Sequence, residues 1–273
     1  HWDDRRQRQM CIRDSFINKI LKHKGGVRAL ALIEVNEFHK AAREFRKIIP
    51  KFDVKDYPKL LSFTSKNNMP GLTFRLAAIL RNDHNKILLG GLYPVPSWNI
   101  DTSDLKDKAL LYAIARQESG FNPRAKSSSK AMGVLQIIPS TAAFIMKNRE
   151  YRLRRSKNHL LYSPPHNISI GSKYIKFLFS LPIVNNDLMW MLASYNAGPG
   201  NFEKWTKYRN YKYKDTLLML ESLPARETRN YIKLVLTNLW VYKTRFNQDN
   251  TVLLSLASGK SIDSKVFFKN TGS

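Results

Sequence analysis

LLYAIARQESGFNPRAKSSSKAMGVLQIIPSTAAFIMK, residues 110–147, is the stretch that orders the rest of the chain. Read as a helix over residues 106–119, it places Leu111, Ile114, Ala115 and Glu118 at i, i+3, i+4 and i+7, on one face. That face is apolar until Glu118, the last full position before the helix stops. Gly120 supplies a C-terminal cap, and Asn122-Pro123 forbids continuation. A carboxyl on the buried side of a helix end loses hydration, which disfavours its charged form and raises its pKa. Such a group can protonate a leaving group near neutral pH. A helix-end glutamate turned to solvent, or paired with Arg116 or Arg124, fits this helix equally well. Downstream, Gln136 is one polar residue among apolar neighbours, and a buried amide needs partners: it either ties down its loop or bonds a ligand. Ser140 or Thr141 is then expected to cap a helix running to about Asn148.

A chain of 273 residues allows one large or two ordinary domains, with ample length for a core. Its 43% hydrophobic content fits a folded soluble protein, and no apolar run nears the roughly 18 residues of a membrane helix. Lys plus Arg number 46 against 21 for Asp plus Glu, a formal charge of +25. Such a charge calls for a polyanionic partner: nucleic acid, anionic lipid or an acidic cell-wall polymer. Charge alone favours nucleic acid, but the basic residues are spread along the chain and form no nucleic-acid-binding motif. The single cysteine, Cys11, excludes an intrachain disulfide and a cysteine-based metal site.

Residues 1–15, HWDDRRQRQMCIRDS, lack the apolar core of a signal peptide and look like translated sequencing-adapter sequence. They are expected to be a non-native leader and are set aside, Cys11 with them. Residues 16–95 read as helical hairpins: 27–35 with 37–49, and 56–65 with 72–81 across Asn67-Asn68-Met69-Pro70-Gly71. Such an array resembles the end of an α-superhelix, a scaffold without chemistry of its own. Leu92-Tyr93-Pro94-Val95-Pro96-Ser97-Trp98 reads as an extended connector and places the domain boundary, because prolines two apart do not fit inside a helix.

Residues 96–250 carry nearly every unusual motif. Residues 149–157 look like a solvated basic excursion. Helices are expected over 167–181 and 187–195, the second running into Asn196-Ala197-Gly198-Pro199-Gly200. That sharp turn presents the Tyr195 hydroxyl and the Asn196 amide at a helix end. Phe202 and Trp205, on a short helix capped by Asn201, are either sugar-stacking aromatics or core. Residues 217–223 precede a long helix to about Phe246, with Glu227 in its first turn, where a carboxylate suits the helix dipole. Residues 251–273 form a C-terminal tail whose polar, weakly patterned end, 258–273, is expected to be loosely held.

Three separated segments, ALLYAIARQESGFNP…GVLQIIPSTA, LASYNAGPG and ESLPARETRNYIKLVL, together resemble the soluble lytic transglycosylases, enzymes that cleave peptidoglycan glycan strands. The resemblance spans about residues 96–246. It implies an all-α, lysozyme-like catalytic domain preceded by a helical-hairpin superhelix and linker segment. Glu118 then matches the single catalytic acid. It would protonate the bridging oxygen between N-acetylmuramic acid and N-acetylglucosamine, then take the C6 hydroxyl proton as a 1,6-anhydro ring closes without water. Ser127, Gln136, Tyr195, Asn196 and Glu227 match cleft positions that bind sugar or position the acid. Ile138 departs from the Met that many members carry, so a sulfur contact is lost there. The resemblance further implies no cofactor and no metal, peptidoglycan strands rather than nucleic acid as partner, peripheral cell-wall contact, a monomer and a periplasmic location.

Two other readings compete. A lysozyme-type hydrolase needs a second carboxylate or a positioned water, with carboxyls about 5 Å apart in a retaining enzyme or roughly 6.5–9.5 Å in an inverting one; Glu227 is the candidate. A non-catalytic helical protein binding cell wall or nucleic acid would have no need of a buried acid beside Gln136, Tyr195 and Asn196.

Overall fold

A computed structural model describes residues 16–100, 107–153, 157–209 and 216–268. The expected leader, 1–15, and the end of the tail, 269–273, lie outside them. Among the described residues the fold is all-α, as expected. Extended pairing is confined to the isolated bridges Lys126–Met132, Met132–Ile137 and Asp187–Asp263. The chain divides into two compact units, the first ending at Ser97 and the second beginning at Trp98.

The first unit is built from two hairpins. Helix α1 (Lys24–Glu34) packs on α2 (Phe38–Ile48), and α3 (Tyr57–Lys66) on α4 (Pro70–His84). Each hairpin turns through an asparagine in the left-handed region, Asn36 at φ 60° and Asn68 at φ 51°, a conformation that asparagine tolerates better than most residues. Prolines in the first turns of α3 and α4 start those helices where a backbone N–H has no partner to lose. Phe45, Leu60, Leu76 and Leu80 are fully buried, and the Phe45 and Phe63 rings meet at 5.4 Å. Thr73 Oγ1 donates to Thr64 Oγ1 at 2.9 Å, joining α3 to α4 through a satisfied buried pair.

The second unit is organised on α5 (Lys108–Ser119), which lies along α11 (Arg226–Arg245). Asp107 caps α5 by accepting from Ala109 N at 2.8 Å, and Gly120, at φ 55°, ends it as expected. Residues 109–115 are all buried, so α5 is enclosed on every side and is not merely striped. Tyr112 packs edge-on against Tyr242 at 5.7 Å. Arg116 Nη1 donates to Asn238 Oδ1 at 2.6 Å, and Asn238 Nδ2 donates to Ala113 O at 3.3 Å, a polar clasp within the α5–α11 contact.

The connecting helices are α6 (Pro139–Ile145), α7 (Pro164–Phe179), α8 (Leu188–Ala197), α9 (Pro199–Arg209), α10 (Thr216–Ser222) and, after α11, α12 (Thr251–Ala257). Several differ from expectation. Neither Ser140 nor Thr141 caps α6: the cap position is Ile138, because Pro139, with φ preset, takes the first helical place. Pro164-Pro165 likewise start α7 ahead of residue 167. Phe202 is core, fully buried with its ring 4.8 Å from Trp190. The basic stretch is partly folded: Arg149–Arg152 make a 3₁₀ turn that buries Tyr151, whose hydroxyl meets His166 Nε2 at 2.8 Å, while 154–156 lie outside the described residues.

The tail is also held more firmly than expected. Val252, Leu256, Ile262 and Phe267 are buried, Leu188 N donates to Ile262 O at 2.9 Å, and Asp107 N donates to Phe267 O at 3.3 Å. These anchors are spaced too irregularly to produce a helical or strand period, which is why the sequence looks unpatterned there.

Candidate active site

Three elements converge on the end of α5. Ser119 Oγ lies 2.8 Å from Val134 O, to which it donates, and so ties the helix end to the loop 132–137. Met132 and Ile137 close that loop with reciprocal N–H···O bonds of 3.0 Å. Gly133 is required within it: its φ is +79°, and a Cβ there would stand 2.1 Å from Leu161 O. Asn167 of α7, fully buried, pins the loop from beneath. Its Oδ1 accepts from Leu135 N at 2.8 Å, and its Nδ2 donates to Met132 O and Leu161 O, both at 2.9 Å. Gln136 is held at φ 48°, a strained position for a side-chain-bearing residue, and its Nε2 donates to Gly133 O at 2.8 Å. The amide therefore does tie down its loop, and its orientation is fixed.

Above this floor sits Glu118. The residue keeps some open surface, but its carboxyl end is densely surrounded by protein, and that loss of hydration raises its pKa to about 7. The groups coupled to it are tyrosine hydroxyls. Tyr231, on α11, opposes the rise through its buried hydroxyl, which stands beside the carboxyl. Tyr195, on α8, donates to Leu135 O at 2.7 Å. Burial first, and the Glu118 charge second, push the Tyr195 and Tyr231 hydroxyls well above 10, while burial takes Tyr174 of α7 to about 12. All three remain neutral donors at physiological pH. Among the described residues, no second carboxylate couples to Glu118.

The structure thus gathers Glu118, the Gln136 loop and Tyr195. Asn196, on the same helix end as Tyr195, accepts from Thr228 Oγ1 at 2.8 Å and fastens α8 to the start of α11. The Ser127 hydroxyl accepts from Ala131 N at 3.0 Å and closes the neighbouring turn. Glu227 is exposed in the first turn of α11 and takes part in no hydrogen bond or ion pair among the described residues. Sequence reasoning missed Tyr231, Tyr174 and Asn167. The signal for Tyr231 was its place on the inward face of α11 with Thr228, Ile232 and Val235, a face that excludes Glu227.

A raised carboxyl also costs stability. Below about pH 4.5 the group is neutral in folded and unfolded chains alike. Between about 4.5 and 7 the unfolded chain loses its proton first, so stability falls as pH rises; above about 7 the full cost stands, on the order of 3 kcal/mol. Glu118→Gln is therefore expected to raise the thermal midpoint at pH 8 by several degrees, with the gain vanishing near pH 4.5. Melts across that range check it; a gain that does not change with pH would show that the carboxyl is not strained by burial.

Parts of the chain are similar to known proteins. Residues 101–218 match the family model of the Transglycosylase SLT domain. The soluble lytic murein transglycosylase of Salmonella typhimurium is 36% identical over 150 residues, 54% of this chain and 23% of that protein. Its Escherichia coli counterpart is 37% identical over 143 residues, 52% of this chain and 21% of that protein. The chain thus spans less than a quarter of the length of these relatives. The crystal structure of the 70 kDa soluble lytic transglycosylase SLT70 from Escherichia coli superposes with a TM-score of 0.69 at 25% identity, covering 84% of this chain and 37% of that one. An inactive glutamate-to-glutamine mutant of lytic transglycosylase Slt from Pseudomonas aeruginosa shares the fold, with a TM-score of 0.67 at 21% identity over 92% of this chain and 40% of that one.

Proposed function

We propose that this chain, which carries a transglycosylase SLT domain, is a lytic transglycosylase that cleaves peptidoglycan glycan strands without water, using Glu118 alone. The observation that carries the reading is one carboxyl with its pKa raised to about 7, enclosed by neutral tyrosine hydroxyls and coupled to no second carboxylate among the described residues. Near neutral pH about half of such a group is protonated, so it can serve as acid and then as base.

Glu118 gives its proton to the oxygen bridging N-acetylmuramic acid and N-acetylglucosamine as the bond from that oxygen to C1 breaks. The substrate's own N-acetyl group stabilises the positive charge at C1. The carboxylate then accepts the C6 hydroxyl proton while O6 bonds to C1, which regenerates the acid and leaves a 1,6-anhydro end. Tyr195 and Tyr231, neutral and buried, wall the carboxyl off from water and so keep its pKa raised. Gln136, Asn196 and Ser127 support the sugar-binding walls, and Glu227 lies at the rim.

The formal charge of +25 favours capture of a strand bearing lactyl and peptide carboxylates, an attraction that weakens with salt. The place of work is the periplasm, with the chain acting as a monomer. Digestion of purified peptidoglycan tests the reading: muropeptides ending in anhydro-N-acetylmuramic acid support it, and reducing ends alone would replace it with a hydrolase.

A further inference from the structure

We infer that Phe144, Phe177 and Tyr174 form a stacking platform for pyranose rings beyond the scissile bond, so that the site reads a length of glycan. This rests on the glycan reading above and extends it.

Tyr195, whose hydroxyl is coupled to Glu118, has its ring 5.5 Å from Tyr174. Tyr174 stacks on Phe177, one turn along α7, at 6.4 Å and 17°. Phe177 in turn meets Phe144 of α6 edge-on at 5.0 Å. The row ends at the surface, where Phe144 is 56% exposed. A scattered exposed apolar residue needs no explanation. Here, however, the exposed ring closes an unbroken aromatic row that runs back to Tyr195 on the wall of the site. Aromatic faces carry negative quadrupole charge and attract the weakly positive C–H faces of pyranose rings. The occupant this chemistry fits is a β-1,4-linked aminosugar strand whose later residues lie on the row while an earlier linkage sits at Glu118.

Binding of N-acetylglucosamine oligomers tests this, by calorimetry in the Glu118→Gln background so that nothing is cleaved. Phe144→Ala is expected to weaken the hexamer about fivefold and leave the dimer unchanged, and Phe144→Trp to retain hexamer affinity. Because Phe144 is largely exposed, the fold should survive, which circular dichroism checks. Equal hexamer affinity with and without the Phe144 ring would overturn the platform. If the Glu118→Gln protein binds neither oligomer, the glycan reading itself fails and the platform with it. On the active enzyme, Phe144→Ala should raise KM for the polymer with kcat unchanged; a fall in kcat alone would also overturn it.

Discussion

Glu118→Gln is expected to slow glycan cleavage by about 10³-fold while glycan binding persists. The substitution keeps the size of the side chain and removes its only proton that can reach the leaving oxygen. No neighbouring acid can substitute, because the groups coupled to it are the Tyr195 and Tyr231 hydroxyls, held well above 10. In the unaltered enzyme, cleavage should decline as pH rises past about 7, when the folded protein loses the Glu118 proton. Rates on a peptidoglycan suspension across pH check both. A loss of only a few fold, or a limb far from pH 7, would place the acid elsewhere.

The second large effect concerns a buried pair distant from the chemistry. Lys243 Nζ lies 2.9 Å from Asp107 Oδ2, with the two side chains only 5% and 4% exposed, and Lys243 also sits 5.8 Å from the centre of the Phe267 ring. Asp107 is at once the cap of α5 and the acceptor for this cation, so the pair fixes the start of the helix that ends in Glu118. Lys243→Met leaves a buried carboxylate without its partner and is expected to cost about 3–5 kcal/mol, roughly 10 °C in thermal midpoint. Adding Asp107→Asn removes the stranded charge and keeps a capping oxygen, so the double variant should regain most of the loss. If both variants melt alike, the ion pair is not what holds that end of α5.

Much of the fold could be read in the sequence because its signals are local. The hairpins of the first unit announce themselves through helical periods and, in the second hairpin, the Asn67-Asn68-Met69-Pro70-Gly71 turn. Gly120 and Asn122-Pro123 end α5 where they must, and the spacing from Leu111 to Glu118 turns the carboxyl inward. What stayed hidden depends on partners far along the chain. Asn167 reads as one polar residue on a helix until the loop at 132–137 supplies three backbone groups for it to bond. Tyr174 and Tyr231 look like ordinary aromatics on apolar faces, and only the folded chain sets Tyr231 beside Glu118 and Tyr174 beside Tyr195. Glu227 is marked by its match to a motif of the resembled family, a signal separate from packing, and it stands exposed in the first turn of α11 beside the buried Thr228 and Tyr231. The tail failed as a pattern because its backbone is anchored by isolated contacts to Asn186, Leu188, Thr216 and Asp107, which follow no helical or strand period.

The most direct measurement is digestion of purified peptidoglycan in water enriched in heavy oxygen, with mass spectrometry of the released fragments. A single acid that closes an anhydro ring transfers no water, so fragments should carry no label at the cut and be lighter by one water than hydrolysed ones. Heavy oxygen at the new reducing end would show that water attacked C1, and would contradict cleavage by Glu118 without water.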